Sequence, residues 1–142
     1  MALIEILMDT NAYVEFKRGN QQTLDILRYA QTIAINNVVL GELLAGFSVG
    51  NQEAENQREL YQFLEMPRVK LLTSNEVTAK YYAMIYKQLR NKGKPIPTND
   101  MWIAATAMQY HLTLLSYDKH FANIEGLSSG QQLNDFLPSI TQ

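Results

Sequence analysis

Four acidic residues carry the chemical content of this sequence: Asp9, Glu42, Asp100 and Asp118. Taken singly, three have ordinary explanations. Asp9 could cap a helix, Asp100 suits a helix N-terminus through the helix dipole, and Asp118 suits a turn. Glu42 is the odd one, because it lies in the apolar segment VVLGELLAGF. Gathered in one place, four carboxylates repel one another, and some would stay protonated without a cation. A hard divalent ion relieves that repulsion. Mg2+ or Mn2+ takes oxygen ligands, keeps several waters and leaves positions for a substrate phosphate. The chemistry such a site suits is phosphodiester hydrolysis. The ion lowers the pKa of a bound water and stabilises developing charge, and a carboxylate accepts the water's proton. Either one ion or two would serve.

The elements around these acids decide whether they can meet. Leu3 to Met8 is a short apolar run closed by Asp-Thr-Asn, as in a buried strand. Helices are expected over Asn11 to Arg18 and Gln21 to Ala30, then a strand over Thr32 to Asn36. Further helices follow over Val38 to Phe47 and Gln52 to Leu64, then a strand over Val69 to Thr73. The spacing predicts a long helix over Asn75 to Lys92, stopped by Gly93 and Pro95. A helix over Thr98 to His111 follows, with Thr98 or Asn99 as its N-cap, and a strand over Leu112 to Ser116. A helical turn near Lys119 to Ala122 and a short helix near Gly130 to Leu137 end the chain. Strands alternating with helices predict an α/β fold with a parallel sheet. Such sheets place ligands beyond the carboxyl ends of their strands. Asp9 ends the first strand, Glu42 lies early in the helix after the second, and Asp118 follows the fourth. Asp100 opens a helix that runs back into the fourth strand. Topology alone therefore brings all four to one edge.

Composition narrows the alternatives. The chain has 142 residues, 46% hydrophobic and 18% charged, which suits one globular domain over 1–142. It has no Cys, which excludes disulfides, zinc–thiolate sites and thiol nucleophiles. The start, MALIEILMDT, has no basic stretch and no small-residue cleavage site, so no secretory leader is expected. A cytoplasmic location is expected. The formal net charge of −2 argues against a protein that coats nucleic acid, but not against one whose metal supplies local positive charge. The bases are unevenly placed. Between Val77 and Asn99 there are five (Lys80, Lys87, Arg90, Lys92 and Lys94) and no acid. Lys87, Arg90, Lys92 and Lys94 are candidate phosphate contacts, set against the simpler reading of a solvated helix face. No Ser-His-Asp pattern is present. Of the two histidines, His111 is expected to be structural, and His120 is a weaker candidate for touching substrate. An EF-hand loop is absent. A dehalogenase-type phosphatase needs a second Asp where Asn11 stands, a receiver domain needs an acidic pair near the first strand, and a dinucleotide site needs a Gly-rich turn there. None of these is present.

Four segments then carry a family resemblance: ILMDTNAYVEF, VVLGELLAGF, IPTNDMWIAATA and LLSYDKHFANIEGL. In this order, spanning nearly the whole chain, they resemble a PIN domain of the VapC-type toxins in type II toxin–antitoxin systems. The resemblance implies a three-layer α/β/α sandwich around a mainly parallel sheet of four or five strands. It implies a Mg2+-dependent endoribonuclease (Mn2+ a substitute) cutting tRNA or ribosomal RNA, dimeric, and held inactive by an antitoxin. It makes Asp9, Glu42, Asp100 and Asp118 the catalytic acids, with Asp9, Asp100 and Asp118 on the metal. Asn11, Ser116 and Asn99 would support them, with Thr10 a local cap. Asp118, on a looser turn, would act mainly through an ordered water or a second ion. The helices around Ala45 to Leu64, with apolar Leu60, Phe63 and Leu64, would form the antitoxin groove. The antitoxin would set a basic side chain near the acids. The tail departs from the pattern, since SSGQQLNDFLPS gives a poor signal for the family's fifth strand. The competing reading, a non-catalytic PIN-like binding module, predicts loss of at least one acid, and none is lost.

Overall fold

The computed structural model describes residues 4–136. The expected strand residue Leu3 and the end of the last expected helix at Leu137 lie outside the described residues. Five parallel strands form one sheet: β1 (Ile4–Met8), β2 (Ala30–Asn36), β3 (Val69–Leu72), β4 (Thr113–Leu115) and β5 (Ser129–Gly130). Their spatial order is β3-β2-β1-β4-β5. Ile6, Leu7 and Met8 are all fully buried although successive side chains point to opposite faces. This is the signature of a strand covered on both sides by helices.

Seven α-helices flank the sheet among the described residues. They are α1 (Thr10–Lys17), α2 (Gln21–Tyr29), α3 (Asn37–Ser48), α4 (Glu53–Leu64), α5 (Glu76–Lys92), α6 (Thr98–Gln109) and α7 (Leu133–Phe136). A 3-10 helix spans Lys119–Asn123. The chain builds β1, β2 and β3 outward in one direction, then returns to add β4 and β5 on the other side of β1. The order therefore reverses between β1 and β4. That switch point opens a crevice beyond the carboxyl ends of the two strands, the general ligand position of open α/β sheets.

Several boundaries differ from the sequence expectation for local reasons. α2 ends at Tyr29 and β2 begins at once at Ala30. Arg68 makes the abrupt change possible, because its Nη1 donates to the carbonyls of Leu27 (2.9 Å) and Ala30 (2.8 Å). α6 stops at Gln109 rather than His111, because His111 adopts a left-handed backbone (φ 56°) that turns the chain into β4. The N-cap of α6 is Pro97, without a side-chain cap bond, and neither Thr98 nor Asn99. α5 and α6 form an antiparallel pair. Gln109, at the end of α6, bonds Asn75 and Thr78 at the start of α5.

The weak fifth strand exists, but it is only two residues long. Gly130 is required there by close approach: a Cβ would lie 2.5 Å from Asp135 Cβ and 2.9 Å from Phe136 Cε2. Gly130→Ala is expected to push α7 off β5, at about 1–3 kcal/mol for overpacking. Urea unfolding checks this, and an unchanged midpoint would show that α7 yields freely.

Candidate active site

β1 delivers Asp9 directly. It is the residue after the strand, 4% exposed, and the N-cap of α1. Its Oδ1 accepts the Ala12 amide at 2.9 Å. Its Oδ2 accepts the Ser116 hydroxyl. Ser116 Oγ also accepts the Asp118 amide at 3.0 Å, so one buried hydroxyl ties the ends of β1 and β4 together. Asn11 adds a second tie, its Oδ1 accepting the Tyr117 amide at 3.1 Å. Asn11 and Ser116 thus both make ordering contacts.

Glu42 projects from the second turn of α3 and is held from two sides. Thr10 Oγ1 donates to its Oε1, and Asn99 Nδ2 donates to Oε2 at 3.3 Å. Thr10 is therefore not a local cap. Asp9 already caps α1, which leaves the Thr10 hydroxyl to reach across to α3. Asn99 likewise spends its amide on Glu42 instead of on its own helix.

Asp100 stands in the first turn of α6, and Asp118 caps the 3-10 helix by accepting the His120 amide at 2.9 Å. Asp118 is thus fixed at both its amide and its carboxylate, not carried on a loose turn. The His120 ring joins them: its Nδ1 lies 2.9 Å from Asp100 Oδ2 and 3.0 Å from Asp118 Oδ1. Candidate ligand atoms of Asp100, Asp118 and His120 lie within 4.8 Å of one another. Sequence reasoning assigns His120 little weight. The signal available is its place two residues after Asp118, where a capped 3-10 turn returns the ring to the cap.

All four acids line one cleft of about 320 Å³, shared with Thr10, Asn11, Val14, Glu15, Arg18 and Ile103. Arg18 on its rim pairs with Glu15 at 3.0 Å and escaped the sequence reading. The electrostatics match an acidic cluster short of countercharge. Burial pushes Asp9 up to about 6, and the nearby charges of Asp100 and Asp118 add to the rise. Burial also raises Asp100, with Asp118 and Glu42 contributing. His120 is raised in turn, chiefly by its bond to Asp100. The carboxylate oxygens fit a hard divalent cation.

The basic candidates divide. Lys92 is used internally, 3.0 Å from Glu125 Oε1 and 3.0 Å from the Asn123 carbonyl. That removes it as a ready phosphate contact. Lys87, Arg90 and Lys94 are exposed and form no ion pair among the described residues. On α5, Lys80, Lys87 and Arg90 fall within about 80° of one another at 100° per residue. Leu60 and Phe63, expected at a partner groove, are core residues, 0% and 6% exposed.

These features define an α/β protein with a four-carboxylate cleft at the switch point of a parallel sheet. The PIN domain family model matches residues 6–127, and the chain belongs to that family. It is similar to ribonuclease VapC2 of Rickettsia felis, 31% identical over 126 residues covering 85% of this chain and 92% of the relative. It is also similar to ribonuclease VapC4 of Mycobacterium tuberculosis, 31% identical over 118 residues covering 82% and 88%. Among solved structures, VapBC2 of Rickettsia felis bound to a promoter DNA fragment superposes with a TM-score of 0.81. The identity there is 27%, over 91% of this chain and 99% of that one. FitAcB of Neisseria gonorrhoeae superposes at 0.71 with 26% identity, over 89% and 96%.

Proposed function

We propose that this chain is a divalent-metal-dependent endoribonuclease and the toxin of a type II toxin–antitoxin pair, acting in the cytoplasm. One observation carries the reading. Four carboxylates from four separate segments line a single cleft at the switch point, each held by hydrogen bonds from neighbouring elements. The names of its VapC relatives and the VapBC assemblies among its structural neighbours support it.

Asp9, Asp100 and Asp118 would hold Mg2+, with Mn2+ able to replace it. When bound, the ion would supply positive charge for the scissile phosphate and a more acidic water. The remaining work falls to the chain itself. Glu42, held by Thr10 and Asn99, would accept a proton from the attacking water. Ser116 and Asn11 hold the ends of β1 and β4 in register around it. Lys87, Arg90 and Lys94 would contact the RNA backbone as point charges. An antitoxin would pack against the helices around Ala45 to Leu64, α3 and α4. It would set a basic side chain against the carboxylates. A homodimer is part of the same proposal.

Incubation of the purified protein with total RNA tests the reading. The expected result is Mg2+-dependent fragmentation, reduced at least about 100-fold in Asp100→Asn, in line with the loss of one preorganised electrostatic group. Cleavage that survives both EDTA and the substitution would overturn it.

A further inference from the structure

We infer that His120 is a positioning residue for the divalent ion. Its Nδ1–H holds the Asp100 carboxylate beside that of Asp118, and the ring neither ligates the ion nor transfers a proton. The inference rests on the proposed metal site and goes beyond its four acids.

Three features of the geometry lead to it. First, carboxylates only accept hydrogen bonds. Against an ionised Asp100 carboxylate, whose Oδ2 lies 2.9 Å away, Nδ1 acts as the donor, with Asp118 Oδ1 a further 3.0 Å neighbour. With its proton in place, Nδ1 has no lone pair to offer a metal. Second, the two carboxylates depend on the ring unequally. Asp118 is held independently, through the His120 backbone amide and Ser116. Asp100 has no side-chain hydrogen-bond partner other than His120 among the described residues. Removing the ring therefore releases Asp100 and leaves Asp118 in place. Third, the ring reaches these oxygens from the solvent side, with its side chain 48% exposed against 16% for Asp100 and 29% for Asp118. It hydrogen-bonds Asp100 Oδ2 and lies 3.0 Å from Asp118 Oδ1, and the other oxygens, Asp100 Oδ1 and Asp118 Oδ2, make no hydrogen bond among the described residues. Two ligands of one Mg2+ sit at ~2.1 Å from it, so their oxygens lie within about 4.2 Å of each other. Two like charges do not hold that spacing unaided. A hydrogen-bond donor beside them lowers the repulsion without using a coordination position. Hydrogen bonds to ligating carboxylates typically change metal affinity about 10–100-fold.

Three substitutions separate the roles. In His120→Asn the side-chain amide nitrogen would stand where Nδ1 stands. In His120→Gln it would stand nearer Nε2, and His120→Ala offers neither. Mn2+ binding is measured by calorimetry on the RNA-free protein for all three, with metal-free melting as the folding control. His120→Ala and His120→Gln are expected to weaken Mn2+ binding about 10–100-fold, and His120→Asn to restore it to within about 3-fold of wild type. RNA cleavage by His120→Ala should need correspondingly more Mg2+. Pulsed EPR of the Mn2+-loaded protein should show no directly bound imidazole nitrogen. A bound nitrogen, unchanged Mn2+ affinity in His120→Ala, or failure of His120→Asn to rescue would overturn the inference. Protein that binds Mn2+ in this pattern yet cleaves no RNA would remove the nuclease reading and leave His120 standing. Protein that cleaves RNA while His120→Ala binds Mn2+ normally would do the reverse.

Discussion

Asp9→Asn will abolish RNA cleavage and, without metal, make the protein more stable at neutral pH. The two effects have one origin. Asp9 is 4% exposed, and burial lifts its pKa from 3.8 to about 6. A carboxyl that binds its proton more tightly folded than unfolded contributes stability below the unfolded pKa and loses it as pH rises through the folded one. Metal-free wild type should therefore lose up to about 3 kcal/mol between roughly pH 4 and pH 6, at 1.36 kcal/mol per unit. Asn does not titrate and fits the same contacts. Its Oδ1 accepts the Ala12 amide, and its Nδ2 donates to Ser116 Oγ once that hydroxyl turns its proton away. In EDTA, the variant's melting temperature should exceed wild type by several degrees above pH 6, and the gap should close toward pH 4. Mg2+ should reverse the order by stabilising wild type alone, since a ligand that binds only the folded state raises its stability. Cleavage should fall at least about 100-fold, as for other preorganised catalytic groups. A variant less stable than wild type in EDTA at pH 7.5 would show that Asp9 is not held against its own charge.

That strain explains which parts of the site could be read from the sequence. Asp9, Glu42, Asp100 and Asp118 were legible because each sits at a topologically fixed point: a strand end, an early helix turn, a helix start, a strand exit. Alternating elements forced a parallel sheet, and a parallel sheet has one ligand edge. The partners of the acids were not legible, because they depend on which way short side chains turn. Thr10 and Asn99 both looked like helix-start residues, and capping rules assigned them to their own helices. Their actual acceptor, Glu42, lies 32 residues from one and 57 from the other. His120 was hidden for a related reason: its role exists only once a 3-10 turn folds the ring back over Asp118. The basic run was legible as composition. That Lys92 would be taken by Glu125 and the Asn123 carbonyl was not, since nothing local links positions 92 and 125. The abrupt passage from α2 to β2 likewise depends on Arg68, far downstream in the chain.

A further tie across the cleft comes from a buried residue that is none of the four acids. Asn36, fully buried at the end of β2, caps α3 by accepting the Val38 amide at 2.6 Å and the Val39 amide at 3.1 Å. Its Nδ2 donates to Thr106 Oγ1 of α6 at 2.8 Å. Thr106 passes the link on by donating to the Trp102 carbonyl at 2.9 Å, in the same helix as Asp100. One amide therefore spaces the helix that carries Glu42 from the helix that carries Asp100. Asn36→Ala removes a cap, worth about 0.5–2 kcal/mol, and strands buried polar groups, at about 1–3 kcal/mol. The expected loss is about 2–4 kcal/mol in urea unfolding. Asn36→Asp keeps the cap acceptor but replaces the donor with a second oxygen and buries a charge. It should regain stability as pH falls and the carboxyl protonates, whereas Asn36→Ala should not. The functional consequence is separable from the stability loss. Ile26→Ala, in a fully buried α2 position, should lose a comparable amount, about 2–5 kcal/mol, through a cavity. That position lies on neither α3 nor α6. At a temperature where both variants remain folded, Asn36→Ala should cleave RNA about 10-fold more slowly than Ile26→Ala, because Glu42 and Asp100 no longer hold their separation. Equal rates in the two variants would reduce Asn36 to a structural cap and leave the spacing of the acids to the sheet alone.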